Sequence, residues 1–403
     1  MRHTDIAIIG GGLAGSTAAV MLGRAGISTV LIDPHRVHPP ELRCEKISGD
    51  KQHASLRKTG LADAVLSAGT LDGTNWIARF GILINKRPSR QYGIRYDTLV
   101  NTVRAAIPHG VTTISAKATA ITTSAERQTI VLSNGEEISA RLVVLANGLN
   151  VGLRHQLGIE RIVTSPCHSI SIGFDIAPID RASFAFPAMT YFSERPIHRT
   201  AYLTMFPIGT QMRGNLFVYR PANDPWLRQM RRAPEDALDG CLPRLRRLIG
   251  NYKITGDITI RPVDLYVSSG HRQAGVVLVG DAFASPCPGS GTGTDKVFTD
   301  VERLCSVHIP AWLATPGMSV EKIATFYDDP VKTTCDINAT AQAYTLRAVT
   351  IERGPYWAAL RWARFFGRLG EAVVRDTRKR LSPRRIAGAV GAKLSAVTQR
   401  VHS

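Results

Sequence analysis

Short apolar runs that end in glycine recur along the chain, and each change of period marks an element. Asp5 to Gly10 (DIAIIG) is a continuous apolar run too short for a buried helix, so it predicts a buried strand. An Ala-rich stretch from Ala14 to Gly26 has helical character and ends at a glycine suited to a C-cap. Ser28 to Asp33 (STVLID) is a second apolar run, closed by its acid. Strand, glycine turn, helix and strand form a βαβ unit.

Further on, KQHASLRKTGL within 34–75 reads as helix and FGILINKR within 76–92 as strand. YDTLVNTVRAAI, 96–107, spaces its apolar residues as an amphipathic helix does. VTTISAKATAITTS and QTIVLSNGEEI read as strands, with Asn134-Gly135 marking a hairpin. RLVVLANG, 141–148, is another buried strand that ends at glycine. From 165 to 265 apolar segments alternate with Pro and charge, which predicts an antiparallel sheet with helix near 226–250. Val276 to Val279 is a last apolar strand that runs into Gly280-Asp281, and from 294 the pattern is helical to the end. No internal repeat or low-complexity segment interrupts this order.

Composition changes the picture little. The chain of 403 residues is 44% hydrophobic and 20% charged, an ordinary globular balance. Six cysteines (44, 167, 241, 287, 305, 335) contain no C-x-x-C pair, so they suggest neither a disulfide framework nor a zinc site, and they fit a reducing, cytoplasmic compartment. No apolar run reaches the ~18 residues of a membrane span. Charge is more informative. Of a net +18, much lies from Arg347 onward, where 13 Lys and Arg face three acids. Such a tail suits an anionic membrane surface or nucleic acid, or is a solvated helical face. No nucleic-acid-binding motif accompanies it, so no specific nucleic acid is expected. Within it, Trp357, Leu360, Trp362, Phe365, Phe366 and Leu369 interleave with Arg361, Arg364 and Arg368. These aromatics either rest on a bilayer as a peripheral contact or pack on the protein itself.

The candidate chemistry lies in two glycine turns. Gly10-x-Gly12-x-x-Gly15 follows a strand and opens a helix, and Ala14 lies just inside that helix. Asp33 closes the next strand. The first glycine makes the turn, the second lets backbone approach a pyrophosphate, and the third permits close helix–strand packing; the acid accepts from a ribose hydroxyl. This is a dinucleotide fingerprint, and it leaves NAD and FAD equally open. The second turn, GDAFASPCPGSGTGTDKVFTD, follows the 276–279 strand.

That second segment resembles the flavin-binding segment of the para-hydroxybenzoate hydroxylase-like family, the single-component FAD-dependent aromatic hydroxylases. The likeness rests on Gly280-Asp281, then Pro288, Gly291 and Gly293, with Asp300 further on. It implies that Asp281 binds ribityl hydroxyls and that the Gly291, Thr292, Gly293, Thr294 turn lies along the isoalloxazine, with Pro288 beside the reacting edge. The alternative for Asp281 is an N-cap or Asx-turn. A reduced flavin is an anion, and an open helix N-terminus stabilises negative charge. LVVLANGLNVGLR, 142–154, resembles the family's Ala-Asp-Gly segment, with Asn147 in place of the acid, then Gly148 and Arg154. Ala284 stands where many relatives carry His, and Asp295 near a usual Asn. The resemblance also implies an Arg near the flavin, which is Arg43, and an Arg against the FAD phosphates, which is Arg95 or, one register on, Tyr96.

The fold expected is α/β: a Rossmann-like FAD-binding domain interleaved with a mainly antiparallel substrate domain, and a helical C-terminus. The parts are 1–75, 96–164 and 266–345 for FAD, 76–95 and 165–265 for substrate, and 346–403 as a basic helical extension. The resemblance implies a monooxygenase in which a flavin C4a-hydroperoxide, formed from O2 at the expense of NADPH or NADH, transfers oxygen to a small-molecule substrate. Pro288 and Arg43 are the candidate catalytic residues, and His168, His198, Tyr191, Tyr202 and Tyr219 the candidate bases. Two alternatives share the cofactor: a flavin halogenase, whose usual W-x-W-x-I-P stretch is missing here, and a reductase or dehydrogenase of a lipid or isoprenoid.

Overall fold

The computed structural model describes residues 1–380, with side chains to Arg375, and has two large sheets and a small third one. The first sheet grows from the N-terminal βαβ unit. Arg2–Ile9 pairs in parallel with Thr29–Ile32 on one side and with Glu137–Leu145 on the other. Thr112–Ile114 extends one edge, and Val276–Leu278 pairs in parallel with Glu137–Leu145. Gln128–Leu132 and Ala118–Thr122 complete it as antiparallel strands, the first joined to Glu137–Leu145 through the Asn134-Gly135 turn. Ile6, Ala7, Ile8, Val143, Val144 and Leu145 are fully buried, as strands covered on both faces require.

The second sheet has eight strands, antiparallel apart from one pair. Its spine is two long strands, Glu160–Pro178 and Tyr252–Ser269, paired along their length. Gln211–Val218, Thr200–Ile208 and Ala188–Phe192 follow outward, and then Thr74–Arg79 and Ile82–Pro88. Three short helices, Pro225–Arg232, Pro234–Cys241 and Leu245–Ile249, cover one face and bury Leu238, Leu242 and Leu245 against it. The segment 76–95 divides between sheets: its last strand, Tyr92–Arg95, pairs with Cys44–Ile47 and Thr70–Leu71 in the small third sheet. The reason is local: Gly93 backs onto the Phe206 ring and the Pro207 carbonyl, leaving no room for a side chain.

After Val276–Leu278 the chain is mostly helical, from Gly293–Arg303 through Pro330–Ile351 to Pro355–Arg380. Of the aromatics in the last helix, Trp362 and Phe365 lie against Phe80, and Arg368 lies 3.7 Å over the Phe192 ring. Phe366, by contrast, is 59% exposed. No helix among the described residues is long and apolar enough to cross a membrane. The basic run beyond Arg380 lies outside the described residues.

Candidate cofactor and substrate site

The N-terminal fingerprint forms a tight turn at the head of Leu13–Arg24. Gly10 has φ +103° and faces the Ala146 carbonyl, while a Cβ on Gly15 would stand 1.8 Å from the Gly10 oxygen. Only glycine fits either position. No side chain caps the helix; the Leu13 N–H donates to Tyr96 Oη at 3.4 Å, and Gly12 opens toward that same hydroxyl. Asp33 accepts from the Gly11 N–H at 2.6 Å and the His35 N–H at 2.9 Å, and pairs with Arg104 at 3.2 Å. A carboxylate offers about four acceptor sites, so capacity for a ribose hydroxyl remains. Arg104 also donates to the Gly11 carbonyl and braces the turn, a role that nothing in its helical spacing announces.

The second turn is built from Gly280, Pro288 and Gly291. Gly291, at φ +69°, ends a single 3-10 turn over Pro288–Ser290 and leads into Gly293–Arg303, whose N-terminus also lacks a side-chain cap. Several contacts hold it. Gln52 donates to the Gly291 carbonyl at 2.6 Å and Tyr202 to the Gly289 carbonyl at 2.5 Å. Ser55 donates to Asp295 at 2.7 Å and Lys51 pairs with Asp295 at 2.7 Å, which accounts for an acid in that first turn. Below it, Lys296 and Lys332 pair with Asp300 and Asp336, a neutral quartet that bolts this helix to Pro330–Ile351. Asp300, one of the residues on which the likeness rests, is therefore structural: it is fully buried and also accepts from the Gly280 N–H.

Three adjoining cavities link the two turns. The first, about 390 Å³, lies between Asp33, Lys117–Thr119 and Asn147. The second, about 220 Å³, shares Gly10, Asp33 and Asn147 with it and runs past Gly12, Ala14 and Tyr96. The third, about 630 Å³, shares Arg43, Asp281, Gly293 and Thr294 with the second and opens under the eight-stranded sheet. Gly10, Gly12, Ala14, Asp33, Asp281, Gly291, Thr292, Gly293 and Thr294 line this path, as do Pro288 and Arg43, whereas Gly15, Gly280 and Asp300 lie behind it. Arg43 stands at the junction, stacked 4.1 Å from the Tyr96 ring; burial opposes its charge, but Glu45, Tyr96 and Asp281 hold it well above the usual guanidinium value. Arg95 lines none of the three cavities: it points to Asp97 and the Glu41 carbonyl, and its neighbour Tyr96 faces the path instead. Arg154 is buried and ties Asn150 to the Ala282 carbonyl at 2.7 Å.

The sheet supplies the cavity's other wall through pleat and register. Tyr202, Phe217, Ser171 and Arg261 are cross-strand neighbours in one row, and Thr204 and Asn215 in the next. Among the candidate bases only Tyr202 reaches this cavity, and its hydroxyl is engaged and its phenol pushed above the ordinary value by burial. His168 is buried on Ser165, Tyr191 donates to Glu194 in the core and Tyr219 is buried. Cys44 also lines the cavity, its thiol pushed up to about 11 by burial.

Lys46 was not singled out from the sequence. Its strand pairs with Tyr92–Arg95, which turns it into the cavity with its ammonium 5.9 Å from the Phe206 ring. Burial, weakly offset by Asp72, pulls its pKa down to about 8. A lysine three residues beyond Arg43, in a run without helical or strand periodicity, carries no local signal.

The path suits an extended dinucleotide. Two uncapped helix N-termini open onto it, and Asn147 Oδ1, buried without a hydrogen-bond partner, lies where the first two cavities meet. The Gly10–Gly15 turn and Arg43 would hold the phosphates, Asp33 and the Asn147 acceptor the ribose hydroxyls, and the Gly291–Thr294 turn the ring.

Comparison with known proteins agrees with this geometry. Residues 3–307 match the family model described as FAD binding domain. The structure is similar to p-nitrophenol 4-monooxygenase from Pseudomonas putida DLL-E4, at 16% identity and TM-score 0.72, over 94% of this chain and 98% of that one. It is similar to the flavin-dependent brominase Bmp2, at 18% identity and TM-score 0.67 over 92% and 94%, and to the halogenase PltM, at 14% identity and TM-score 0.66 over 86% and 76%. No curated protein matches the sequence. With a family model matched over most of its length and a cleft shaped for the cofactor, the chain belongs to the FAD-binding domain family.

Proposed function

We propose that the protein is an FAD-dependent monooxygenase acting on a small polar or aromatic substrate. One observation carries the reading: the 630 Å³ cavity continues past the Gly291–Thr294 turn beneath the sheet, leaving a polar space beside the ring end of the path. Its wall holds Tyr202, Thr204 and Asn215 and no histidine, which favours hydroxylation of a small substrate over chemistry on a long lipid chain. Bound FAD, reduced by NADPH or NADH, supplies the activation of O2 that puts one oxygen atom on the substrate and releases the other as water.

The chain's own residues then orient and protect. The open N-terminus of Gly293–Arg303 stabilises negative charge on the reduced ring. Pro288 walls the reacting edge without offering an N–H. Arg43, kept charged by its acidic neighbours, balances the phosphates and ring from the junction. Thr204 and Asn215 orient the substrate by hydrogen bonds. Lys46, whose pKa burial pulls down to about 8, is placed to accept or return the proton of an acidic substrate hydroxyl. Six unpaired cysteines among the described residues support a reducing, cytoplasmic setting.

The test is turnover of FAD-loaded protein with NADPH or NADH, a panel of substituted phenols and 18O2. Substrate-dependent oxygen uptake with one labelled atom in the product supports the reading; a protein that takes up no FAD ends it. Lys46 in the cavity also lends weight to a second reading, a flavin halogenase, since those enzymes usually carry a catalytic lysine, although the W-x-W-x-I-P stretch is missing. Bromide-dependent formation of a brominated phenol in the same assay would replace the first reading with this one.

A further inference from the structure

Away from the cofactor path, and sharing no lining residue with it, five arginines converge on a small pocket of about 80 Å³. Helical spacing puts Arg361, Arg364 and Arg368 on one side of Pro355–Arg380, and the packing of that helix turns them toward Arg79 and Arg195. The packing is specific. Arg361 donates to the Val349 and Glu352 carbonyls at 3.1 and 2.8 Å, at the negative end of Pro330–Ile351. Arg368 stacks on Phe192, and Arg79 donates to the Ser193 carbonyl at 2.8 Å. Ser193, Thr200 and Thr350 add hydroxyl-bearing residues to the wall.

No acid lines this pocket. Two carboxylates outside the pocket have hydrogen-bonded partners of their own: Glu194 accepts from Tyr191 and the Arg244 N–H, and Glu371 pairs with Arg87. The arginines therefore repel one another, offset only in part by Glu194 near Arg79 and Glu371 near Arg368. Burial, followed by repulsion from Arg87, Arg364 and Arg79, pulls Arg368 down to about 10, and burial and Arg361 lower Arg79. A compact polyanion would remove that repulsion, and planar guanidinium forks match the oxygens of a tetrahedral group two at a time.

We propose that the pocket between the Pro355–Arg380 helix and the second sheet is a binding site for a phosphate-type oxyanion, separate from the cofactor path. The phosphate could belong to a soluble phosphate or phosphomonoester, or to a phospholipid headgroup, since Phe366 stands exposed on the same helix. Recognition by the arginines is the same in each case.

The test uses full-length, FAD-loaded protein, so that the cofactor's own phosphate site is filled. Tm is followed against sodium phosphate, with sodium chloride holding ionic strength constant. Tm is expected to rise saturably with phosphate in the wild type and to respond at most weakly in Arg364→Gln and Arg368→Gln, with FAD content unchanged. Arg364 is exposed and makes no hydrogen bond to the fold among the described residues, so in phosphate-free buffer its variant is expected to melt no lower than wild type. A second arm sediments the protein with phosphatidylcholine vesicles containing phosphatidic acid. Co-sedimentation that is lost in Arg364→Gln and competed by free phosphate assigns a headgroup as the source; a phosphate shift without co-sedimentation assigns a soluble one. A Tm that follows ionic strength alone together with no Arg364-dependent sedimentation overturns the proposal, as does an equal phosphate shift in both variants.

Discussion

Lys46 and Asp33 show how single side chains divide between stability and chemistry. Lys46 holds a charge that its surroundings disfavour, with a folded pKa near 8 against 10.5. Between those values the unfolded chain binds more protons, so stability rises with pH across that window and the cost is fully present below it. Lys46→Met is therefore expected to stabilise the protein by about 2 kcal/mol at pH 7, a gain that fades toward pH 10, while slowing turnover at least tenfold. Urea melts at the two pH values, alongside oxygen uptake, check both arms; a variant both less stable and fully active would make Lys46 a structural residue. At Asp33 the two effects run together. Asp33→Asn leaves the largely buried Arg104 without its counter-ion and is expected to cost about 2 kcal/mol of stability and about tenfold in FAD affinity. Fluorescence titration of the FAD-free protein measures the second.

The elements that present the cofactor turns are held by different means, and substitutions should separate them. A methyl on Gly15 meets the Gly10 carbonyl, so Gly15→Ala is expected to cost 3 kcal/mol or about that and to abolish FAD binding. Nothing lies within 4 Å of the Cβ position at Gly291, so Gly291→Ala meets only the strain of its φ, about 1–2 kcal/mol, and the protein should still fold. Beneath the second turn, Asp300→Asn would leave two buried ammonium groups on one carboxylate and is expected to cost about 3–5 kcal/mol by urea denaturation. The same quartet makes the helix pair acid-sensitive. Burial opposes it, but Lys296 and Lys332 hold the Asp336 carboxyl below its ordinary value. Its contribution is thus present above about pH 4 and lost as pH falls toward the depressed value. These elements were legible in the sequence because their signals are local: a glycine spacing, a helix period, an Asn-Gly hairpin. What braces them was not legible. Gln52, Tyr202 and Arg104 reach their partners across long stretches of chain, and residue type alone does not say which of many polar side chains does so.

For the whole molecule, the order of elements could be read far better than the pairing between them. The antiparallel character of 165–265 follows from its alternation. That Thr74–Arg79 joins the edge of that sheet in parallel while Tyr92–Arg95 turns back to pair with Cys44–Ile47 is decided by packing at Phe206 and Pro207. That choice carries Lys46 into the substrate space, so the least legible part of the fold also holds the least expected site residue. The C-terminal helix shows the same limit: its amphipathic pattern is plain, but only docking on Phe80 and Phe192 decides which arginines face inward. The proposed function requires that the three adjoining cavities form one FAD path ending in substrate space. The most direct measurement is a crystal structure of the FAD-loaded protein. Adenine is expected beside Lys117–Thr119, the phosphates at Gly12 and Arg43, and the ring along Gly291–Thr294 facing Thr204 and Asn215. A ring placed at the Lys117 end, or FAD bound elsewhere on the surface, would contradict it.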